Sequence, residues 1–323
     1  MHKGIGKLLV CAAAAGSCLA GTAHAQTWPA KPVRIIVPFA PGGGTDIQGR
    51  ILGKKFYESM GQTFIVENRA GATGLIGAEI VARSPADGYN ILFTTASLSV
   101  NVSLHKKIAF DPLKDLQPIS WVSSVPLVLV VHPSVPVKSV KELVALTRRQ
   151  KSGLNAASNG AGTTSHLSLE MLKQFAGANL THIPYKGGGP AMTAMISGEV
   201  DFQFATALTA QPHIKSGKVR ALAVTTAKRS GAFPDLPTMS SIYPGFESDN
   251  WYAMFFPAGT PKEVVAKMNA EIIKGIRASE VREFIVKEGG DPVGSTPEEL
   301  AAYFKREVDK YAKIIKAGNI TAD

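Results

Sequence analysis

The sequence predicts an α/β protein in which mainly parallel sheets are flanked by helices. Short apolar, β-branched runs alternate along the chain with segments of helical periodicity, which is the pattern of repeated βαβ units. Turn-rich breaks at 123–126 and 244–248 interrupt this alternation and indicate two crossings between lobes. If both are crossings, residues 126–247 form one lobe, and residues 26–125 plus 248–323 form the other.

The individual elements follow from residue type and spacing. The strand candidates, rich in β-branched and aromatic residues, are Val33–Val37, Thr63–Glu67, Asn90–Thr94, Leu127–His132, Leu154–Ala157, Thr181–Ile183, Val200–Ala205, Val219–Thr225 and Trp251–Phe256. The helix candidates, with apolar residues three and four apart, are Thr45–Tyr57, Ile76–Ala82, Val140–Gln150, Ser165–Phe175, Ala191–Ser197, Ala210–Lys215, Pro261–Ala278 and a last helix that starts near Pro297. Capping boxes are predicted at Ser139, Thr260 and Thr296, each followed three residues later by Glu.

The first 25 residues have the pattern of a cleaved export signal. Lys3 and Lys7 precede an apolar stretch rich in alanine, and Ala23 and Ala25 supply the small residues of a cleavage site. We therefore expect cleavage after Ala25 and a periplasmic location. The alternatives are a buried N-terminal helix and, less favoured, lipidation at Cys18. Cleavage would remove both cysteines of the chain, which excludes a disulfide or a thiol nucleophile in the mature protein.

The formal charge of +10 falls to +8 once the two leader lysines are removed. A basic balance favours anionic partners, but the lysines of the last helix interleave with acidic residues, which indicates a solvated face rather than a nucleic-acid surface. No second apolar stretch approaches the length of a membrane span. We expect no nucleic-acid partner, no transmembrane segment in the mature chain, and a monomer.

Three glycine-rich segments stand between a predicted strand and a predicted helix. They are the first glycine loop (Phe39–Asp46), the second glycine loop (Ser158–His166) and the third glycine loop (Tyr185–Pro190). A glycine-rich turn lets backbone N–H groups approach a ligand, and the helix that follows adds its positive end. The alternative for any one of them is a tight βα turn with a capping residue. Such turns converge at the carboxyl ends of strands, where α/β proteins bind ligands.

Other site types are poorly supported. Ile47 stands where a dinucleotide fingerprint needs a third glycine, and the P-loop spacing fails at Gln48. There is no nucleophile elbow and no zinc-protease motif, and the histidines are scattered. We therefore expect no catalytic residues, no metal site and no cofactor.

At the glycine loops the sequence resembles the Bug (Bordetella uptake gene) family, the extracytoplasmic receptors of tripartite tricarboxylate transporters. The matching stretches are Val37–Asp46, Glu67–Ala72, Ala86–Tyr89, Gly160–Leu167, Ile183–Ala191, Gly198–Asp201 and Trp251–Pro261. They span the mature chain in family order. The resemblance implies a two-lobed periplasmic binding protein of the Venus-flytrap, type II-like class, with a small organic carboxylate in the cleft and no enzymatic activity. It also implies delivery of that ligand to the membrane permease subunits of the transporter.

The resemblance further implies that the first two glycine loops grip a carboxylate through backbone amides, hydroxyls and ordered waters. Ser97 matches a position that lines the first-lobe side. The implied ligand-binding residues are Phe39, Ala40, Gly43, Gly44, Thr45, Asp46, Ser97, Ser158, Gly160, Gly162, Thr163, Thr164, Ser165 and His166. Asp46 would repel a carboxylate, so it caps the helix, holds water or meets a ligand amine. Gly43 and Gly160 are expected to need close backbone approach or positive φ.

Two rival functions use the same cleft. A ligand-binding sensor that presents a carboxylate to a histidine-kinase ectodomain would have the same binding fold. An enzyme is the weaker alternative, and it would alter the ligand. The sequence does not identify which carboxylate is bound.

Overall fold

The computed structural model describes residues 28–105 and 108–321. The predicted leader and its cleavage site at Ala25 lie outside these residues. The strands in the described residues are β1 (Val33–Val37), β2 (Phe64–Asn68), β3 (Asn90–Thr95), β4 (Leu116–Val125), β5 (Leu127–Val131), β6 (Leu154–Ser158), β7 (Leu180–Pro184), β8 (Phe202–Thr206), β9 (Arg220–Val224), β10 (Asn250–Pro257) and β11 (Asp291–Pro292).

The helices surround these strands and fill most of the intervals between them. They are α1 (Gly44–Met60), α2 (Leu75–Ala82), α3 (Ser97–Leu104), α4 (Pro112–Asp115), α5 (Val140–Arg149), α6 (Thr164–Ala176), α7 (Gly188–Ser197), α8 (Ala207–Lys215), α9 (Met239–Ile242), α10 (Lys262–Arg277), α11 (Ser279–Lys287) and α12 (Pro297–Gly318), with a 3₁₀ turn at Ala72–Gly74. The alternation of strands and helices predicted from the sequence is present.

The strands form two separate sheets. The first has six strands in the order β11-β4-β10-β3-β1-β2, and the second has five in the order β7-β6-β8-β5-β9. Helices cover both faces of each sheet. In β5, for example, Leu127, Leu129 and Val131 pack in one apolar cluster, whereas Val128 and Val130 pack in another. A strand covered on both faces is a continuous apolar run, and this made β5 recognisable from the sequence.

Both sheets are mixed rather than mainly parallel. β2-β1-β3 in the first sheet and β7-β6-β8 in the second are parallel, as expected for βαβ units. The additional strands β4, β10 and β5 run antiparallel to their neighbours. These three strands enter or leave the connections between the sheets. Such a strand can pair without a helical crossover, so it is free to take the antiparallel direction.

The chain passes between the sheets at two adjacent segments. It leaves the first sheet at Val125 and enters the second at Leu127, then returns between Val224 and Asn250. The two connections are joined by hydrogen bonds. The Leu127 amide donates to the hydroxyl of Thr225 at 3.0 Å, and the Ser124 hydroxyl donates to the carboxylate of Asp249 at 3.0 Å.

The largest element that the sequence did not predict is β4. The sequence analysis assigned no strand to residues 116–122, and it placed the last residues of β4 in a turn-rich break. In the structure Ser120 and Ser123 are fully buried. The hydroxyl of Ser120 donates to the carbonyl of Ser295 at 2.9 Å, and Ser123 shares hydrogen bonds with Gln48. Tertiary hydrogen bonds therefore satisfy side chains that normally favour loops.

One of the three predicted capping boxes is confirmed in full and a second only in part, because the Glu142 carboxylate accepts the Lys138 amide at 2.7 Å rather than that of Ser139. The hydroxyl of Ser139 accepts from Glu142 N–H, and Thr296 forms a full capping box with Glu299. The prediction at Thr260 was wrong, because its hydroxyl donates instead to the Pro257 carbonyl at 2.8 Å and α10 begins without a side-chain cap.

The C-terminal helix α12 packs against both sheets. Leu300, Phe304 and Val308 lie in an apolar cluster with strands of the first sheet, and Tyr311 and Ile315 lie in one with strands of the second. The apolar residues of α12, which recur three and four apart in the sequence, form one buried face. However, only the first part of the helix returns to the first sheet, and its last two turns cross to the second.

Candidate functional site

The first glycine loop follows β1 and leads directly into α1. Its residues 40–43 are exposed, whereas Thr45 is 5% exposed and Asp46 is 4% exposed. Gly43 stands at the N-cap and supplies no side-chain hydrogen bond to the helix. The loop is held from outside by Asn68, whose side-chain amide donates to the carbonyl of Phe39 at 3.0 Å. The positive end of a long helix is therefore left uncapped.

Asp46 turns back onto its own loop. Its carboxylate accepts the Gly42 N–H at 2.9 Å and pairs with the guanidinium of Arg50 at 2.9 Å. Burial alone would raise the pKa of Asp46, but Arg50, the Gly42 amide and Asn68 together hold it below its ordinary value. Asp46 is thus an ionised clamp on the loop, and its charge is directed at Arg50.

The amides of Gly44 and Thr45 donate to no other described residue. They are the first two N–H groups of α1, and Thr45 is buried. Buried backbone donors are almost always paired in folded proteins, with protein, water or ligand. Unpaired donors at the positive end of a helix suit an anion.

The second glycine loop joins β6 to α6, and much of its polarity serves the loop itself. The buried Ser158 hydroxyl lies 2.6 Å from Nε2 of His182 and accepts the Gly160 amide at 3.1 Å. Ser165 donates its hydroxyl to the carbonyl of Phe204 at 2.6 Å, which fastens α6 to the second sheet. The side chains of Ser158 and Ser165 are therefore directed into the protein.

His166 is also a structural part of the second loop. Its Nδ1 accepts the Gly162 amide at 3.2 Å, and its ring stacks on His182 with centroids 4.1 Å apart. Burial and, to a smaller extent, Lys173 lower the pKa of His166 to about 4. The ring is therefore neutral near pH 7, and its Nδ1 is an acceptor committed to the loop.

We expect this neutral imidazole to make folding stability depend on pH. The unfolded chain binds a proton at His166 below about pH 6.5, whereas the folded chain resists protonation down to about pH 4. Protonation of the unfolded chain at His166 should therefore lower the free energy of unfolding by about 2 kcal/mol between pH 7 and pH 5. In His166→Asn, the amide oxygen can still accept from Gly162. Urea unfolding at pH 7 and pH 5 should show a smaller acid loss for the variant, and equal losses would contradict a neutral buried ring.

Some donors of the second loop remain available. Thr163 caps α6 by accepting the His166 amide at 3.4 Å. The amides of Ala161 and Thr164 donate to no other described residue. The second loop therefore also offers two unpaired amides, one at the first residue of α6 and one three residues before it.

The structure bears differently on the two glycine predictions. Gly160 has φ +131°, and a Cβ there would lie 3.2 Å from the carbonyl oxygen of Tyr185, so this position requires glycine. Gly43 has φ −80° and room for a side chain within the protein, so it lacks positive φ, and its close approach to a ligand stays a prediction. The restricted position in the first loop is Gly44, where a Cβ would lie 2.5 Å from Oε1 of Glu288 and 2.7 Å from the hydroxyl of Tyr252.

The second loop lies against α3 of the first lobe. Ser97 begins α3 and is 7% exposed, and its amide donates to the Thr95 hydroxyl at 3.4 Å. Further along α3, the side-chain amide of Asn101 donates to the Thr73 carbonyl at 3.0 Å. A Cβ on Gly162 would lie 3.3 Å from Oδ1 of Asn101, an oxygen that is buried and has no hydrogen-bond donor among the described residues. The sequence did not single out Asn101.

A second contact between the lobes lies where α11 ends. A Cβ on Gly289 would lie 2.4 Å from Cβ of Ala207, the first residue of α8 in the second lobe. The hydroxyl of Ser230 donates to the Gly289 carbonyl at 3.4 Å. The two lobes therefore touch on both flanks of the glycine loops. Neither Glu288 nor Gly289 belongs to a motif that the sequence offered.

The third glycine loop supports the second. The Gly187 amide donates to the carbonyl of Asn159 at 3.1 Å, and the Tyr185 amide donates to the carbonyl of Ser158 at 3.1 Å. Lys186 is exposed. The first two loops contain no lysine or arginine, so their unpaired donors are backbone N–H groups rather than cationic side chains.

Two further properties were checked on residues 28–105 and 108–321. No group of three or more His, Cys, Asp or Glu side chains in these ranges is placed to hold a metal ion. None of the helices there combines the length and the apolar character that crossing a membrane requires.

Comparison with known proteins places these features in a family. The family described as tripartite tricarboxylate transporter family receptor matches residues 49–320. Protein BugT of Bordetella pertussis is 37% identical over 301 residues, 92% of each chain. The structure of R. palustris Rpa4515 with adipate aligns with a TM-score of 0.81 at 32% identity, covering 91% of this chain and 99% of that one. The structure of periplasmic binding protein BugD aligns with a TM-score of 0.78 at 37% identity, covering 91% of this chain and 99% of that one.

Proposed function

Because this chain belongs to the tripartite tricarboxylate transporter receptor family, a family of solute-binding receptors, we propose that it captures a small organic carboxylate between its lobes. The fold is that of two-lobed periplasmic binding proteins. The proposal extends to delivery of the ligand to the membrane permease subunits of such a transporter. It also includes export to the periplasm and cleavage after Ala25, which the mass of the mature N-terminus would reveal.

The observation that carries the proposal is a set of unpaired backbone N–H groups at two helix starts. Gly44 and Thr45 begin α1, Thr164 begins α6, and Ala161 lies in the loop just before it. None of these four N–H groups has an acceptor among the described residues. Charge-assisted hydrogen bonds from such amides are stronger than those to neutral groups. Each helix end adds about 0.3–1 kcal/mol when exposed, and more when enclosed. The adipate bound to Rpa4515 is a ligand of this chemical class.

The lobes in this proposal are residues 26–125 with 248–323, and residues 126–247. The division of strands between the two sheets supports it, as do the two adjacent crossings. The helix α12 then connects the lobes for a third time, because its ends pack in different apolar clusters. Closure therefore proceeds by rotation at the crossings together with a shift of α12 against one of the sheets.

The proposal is tested by ligand binding to the mature chain starting at Gln26. Succinate, glutarate and adipate should be compared with adipamide, which has the length of adipate but no charge. We expect at least one of the acids to raise the unfolding temperature, since a ligand at about 100 times its Kd adds roughly 2.7 kcal/mol. Adipamide should have no effect. If the acids give no more stabilisation than the diamide, the proposed capture of a charged carboxylate is contradicted.

A further inference from the structure

Glu288 is a buried carboxyl group next to the proposed anion site. It follows α11 and is 3% exposed. Its Oε1 and the hydroxyl of Tyr252 lie against Gly44, the first residue of α1, at the distances given above. The next residue, Gly289, touches Ala207 of the second lobe. Glu288 therefore lies between the lobes, beside the uncommitted amides of the first loop.

The carboxyl group has no partner of its own. Oε2 is buried and receives no hydrogen bond from any described residue. Burial raises the pKa of Glu288 to about 7, and no charged side chain contributes to that shift. An unpartnered buried carboxyl is costly, because it has lost water without gaining a donor.

The groups around Glu288 do not supply the missing cation. Tyr252 on β10 is a buried phenol whose pKa is raised above its ordinary range. On α1, the charge of Asp46 is already paired with Arg50. From the second lobe, the neighbours of the following residue are Ala207, Ala232 and Phe233, which carry no charge.

We infer that Glu288 is a specificity residue that accepts hydrogen bonds from an ammonium group of the ligand, whose carboxylate binds the amides at the start of α1. The ligand class is therefore a zwitterionic amino acid. This inference rests on the proposed function. The reason is complementarity, since α1 offers unpaired donors while Glu288 offers an unpaired acceptor beside them. An α-amino acid carries its carboxylate and its ammonium group on neighbouring atoms, so one ligand can meet both.

The test compares acids that differ only in the ammonium group. Dissociation constants of L-aspartate and succinate, and of L-glutamate and glutarate, should be measured by calorimetry at pH 8. We expect the wild-type protein to prefer the amino acid of at least one pair. Glu288→Gln should raise the dissociation constant of that amino acid about 10- to 100-fold, because the variant loses a hydrogen bond to a charged group. The matching diacid should bind this variant at least as tightly, since a like charge has been removed.

A matched control is available on the same helix. Glu283 is exposed on α11, so Glu283→Gln changes the net charge equally and should keep the wild-type preference. The pH dependence supplies a second readout. Because an ammonium group binds the ionised carboxyl, amino-acid affinity should rise about tenfold from pH 6 to pH 8 and should stay flat in Glu288→Gln.

The outcomes separate the two proposals. If the diacids bind as tightly as the amino acids, or if Glu288→Gln keeps the preference, the inference is overturned and carboxylate capture stands. If neither these four acids nor adipate binds the wild-type protein, carboxylate capture fails and the role of Glu288 fails with it. Loss of binding to all four acids in Glu288→Gln alone would also overturn the inference, because it would show a structural role.

Discussion

Gly160→Val should weaken carboxylate binding about 30-fold or more in a protein that still folds. Gly160 has φ +131°, which a β-branched residue resists, and its Cβ would meet the Tyr185 carbonyl oxygen at 3.2 Å. Such strain is of the order of 1–3 kcal/mol, and the second loop can relieve it only by moving its amides. Calorimetry with the tightest acid of the panel measures the effect.

Two controls make this result specific to the backbone. Gly189 in the third loop has no neighbour within 4 Å of a Cβ and no positive φ, so Gly189→Val should change affinity only a few-fold. Lys186 is exposed, so Lys186→Ala should also have a small effect. If Lys186→Ala abolished binding while Gly160→Val retained it, an ion pair would replace the backbone cradle.

Gly289→Ala should hold the lobes apart and weaken ligand binding about 10- to 100-fold. The new Cβ would lie 2.4 Å from Cβ of Ala207, far inside the contact distance of two carbon atoms. One lobe must shift, and the ligand then loses contacts with the other. The radius of gyration of the ligand-saturated variant, measured by small-angle scattering, should exceed that of the ligand-saturated wild-type protein.

A second substitution distinguishes the steric effect of the new side chain at residue 289 on Ala207 from a general loss of folding. Ala207→Gly in the Gly289→Ala background removes the opposing Cβ and should restore most of the affinity and the smaller radius. The positive φ of +77° at residue 289 still costs about 1–2 kcal/mol of stability in both variants. If the double variant binds as poorly as the single one, the contact with Ala207 does not limit closure.

Local patterns were sufficient for much of the fold. Strand β1 was predicted with its observed bounds, and β5 and β10 to within one residue at each end, because their apolar runs indicate burial regardless of context. The caps at Ser139 and Thr296 depend on residues three apart, so they could also be read from the chain. The ten-residue strand β4 was missed because its serines are satisfied by partners such as Ser295 and Gln48, which are distant in sequence.

For the candidate site, too, the sequence identified the local segments but not the roles of their residues. The first two glycine loops were identified from composition, since glycines before a helix are a local signal. The roles of individual residues within the loops were not. Asp46 had three possible roles, and the structure directs its charge at Gly42 and Arg50. Gly43 and Gly44 are indistinguishable in sequence, but Glu288 and Tyr252 pack against only the second.

The sequence by itself determined the α/β alternation, the glycine loops that open helices and the family, because each depends on residues that are close along the chain or on motif order. Only the tertiary structure decided which donors are already used and which carboxyl stands unpaired. His166 is occupied by its own loop, whereas Glu288 reaches the start of α1 from the far end of the chain. Hydrogen-bond satisfaction and desolvation are properties of the folded surroundings, and no spacing in the sequence encodes them directly.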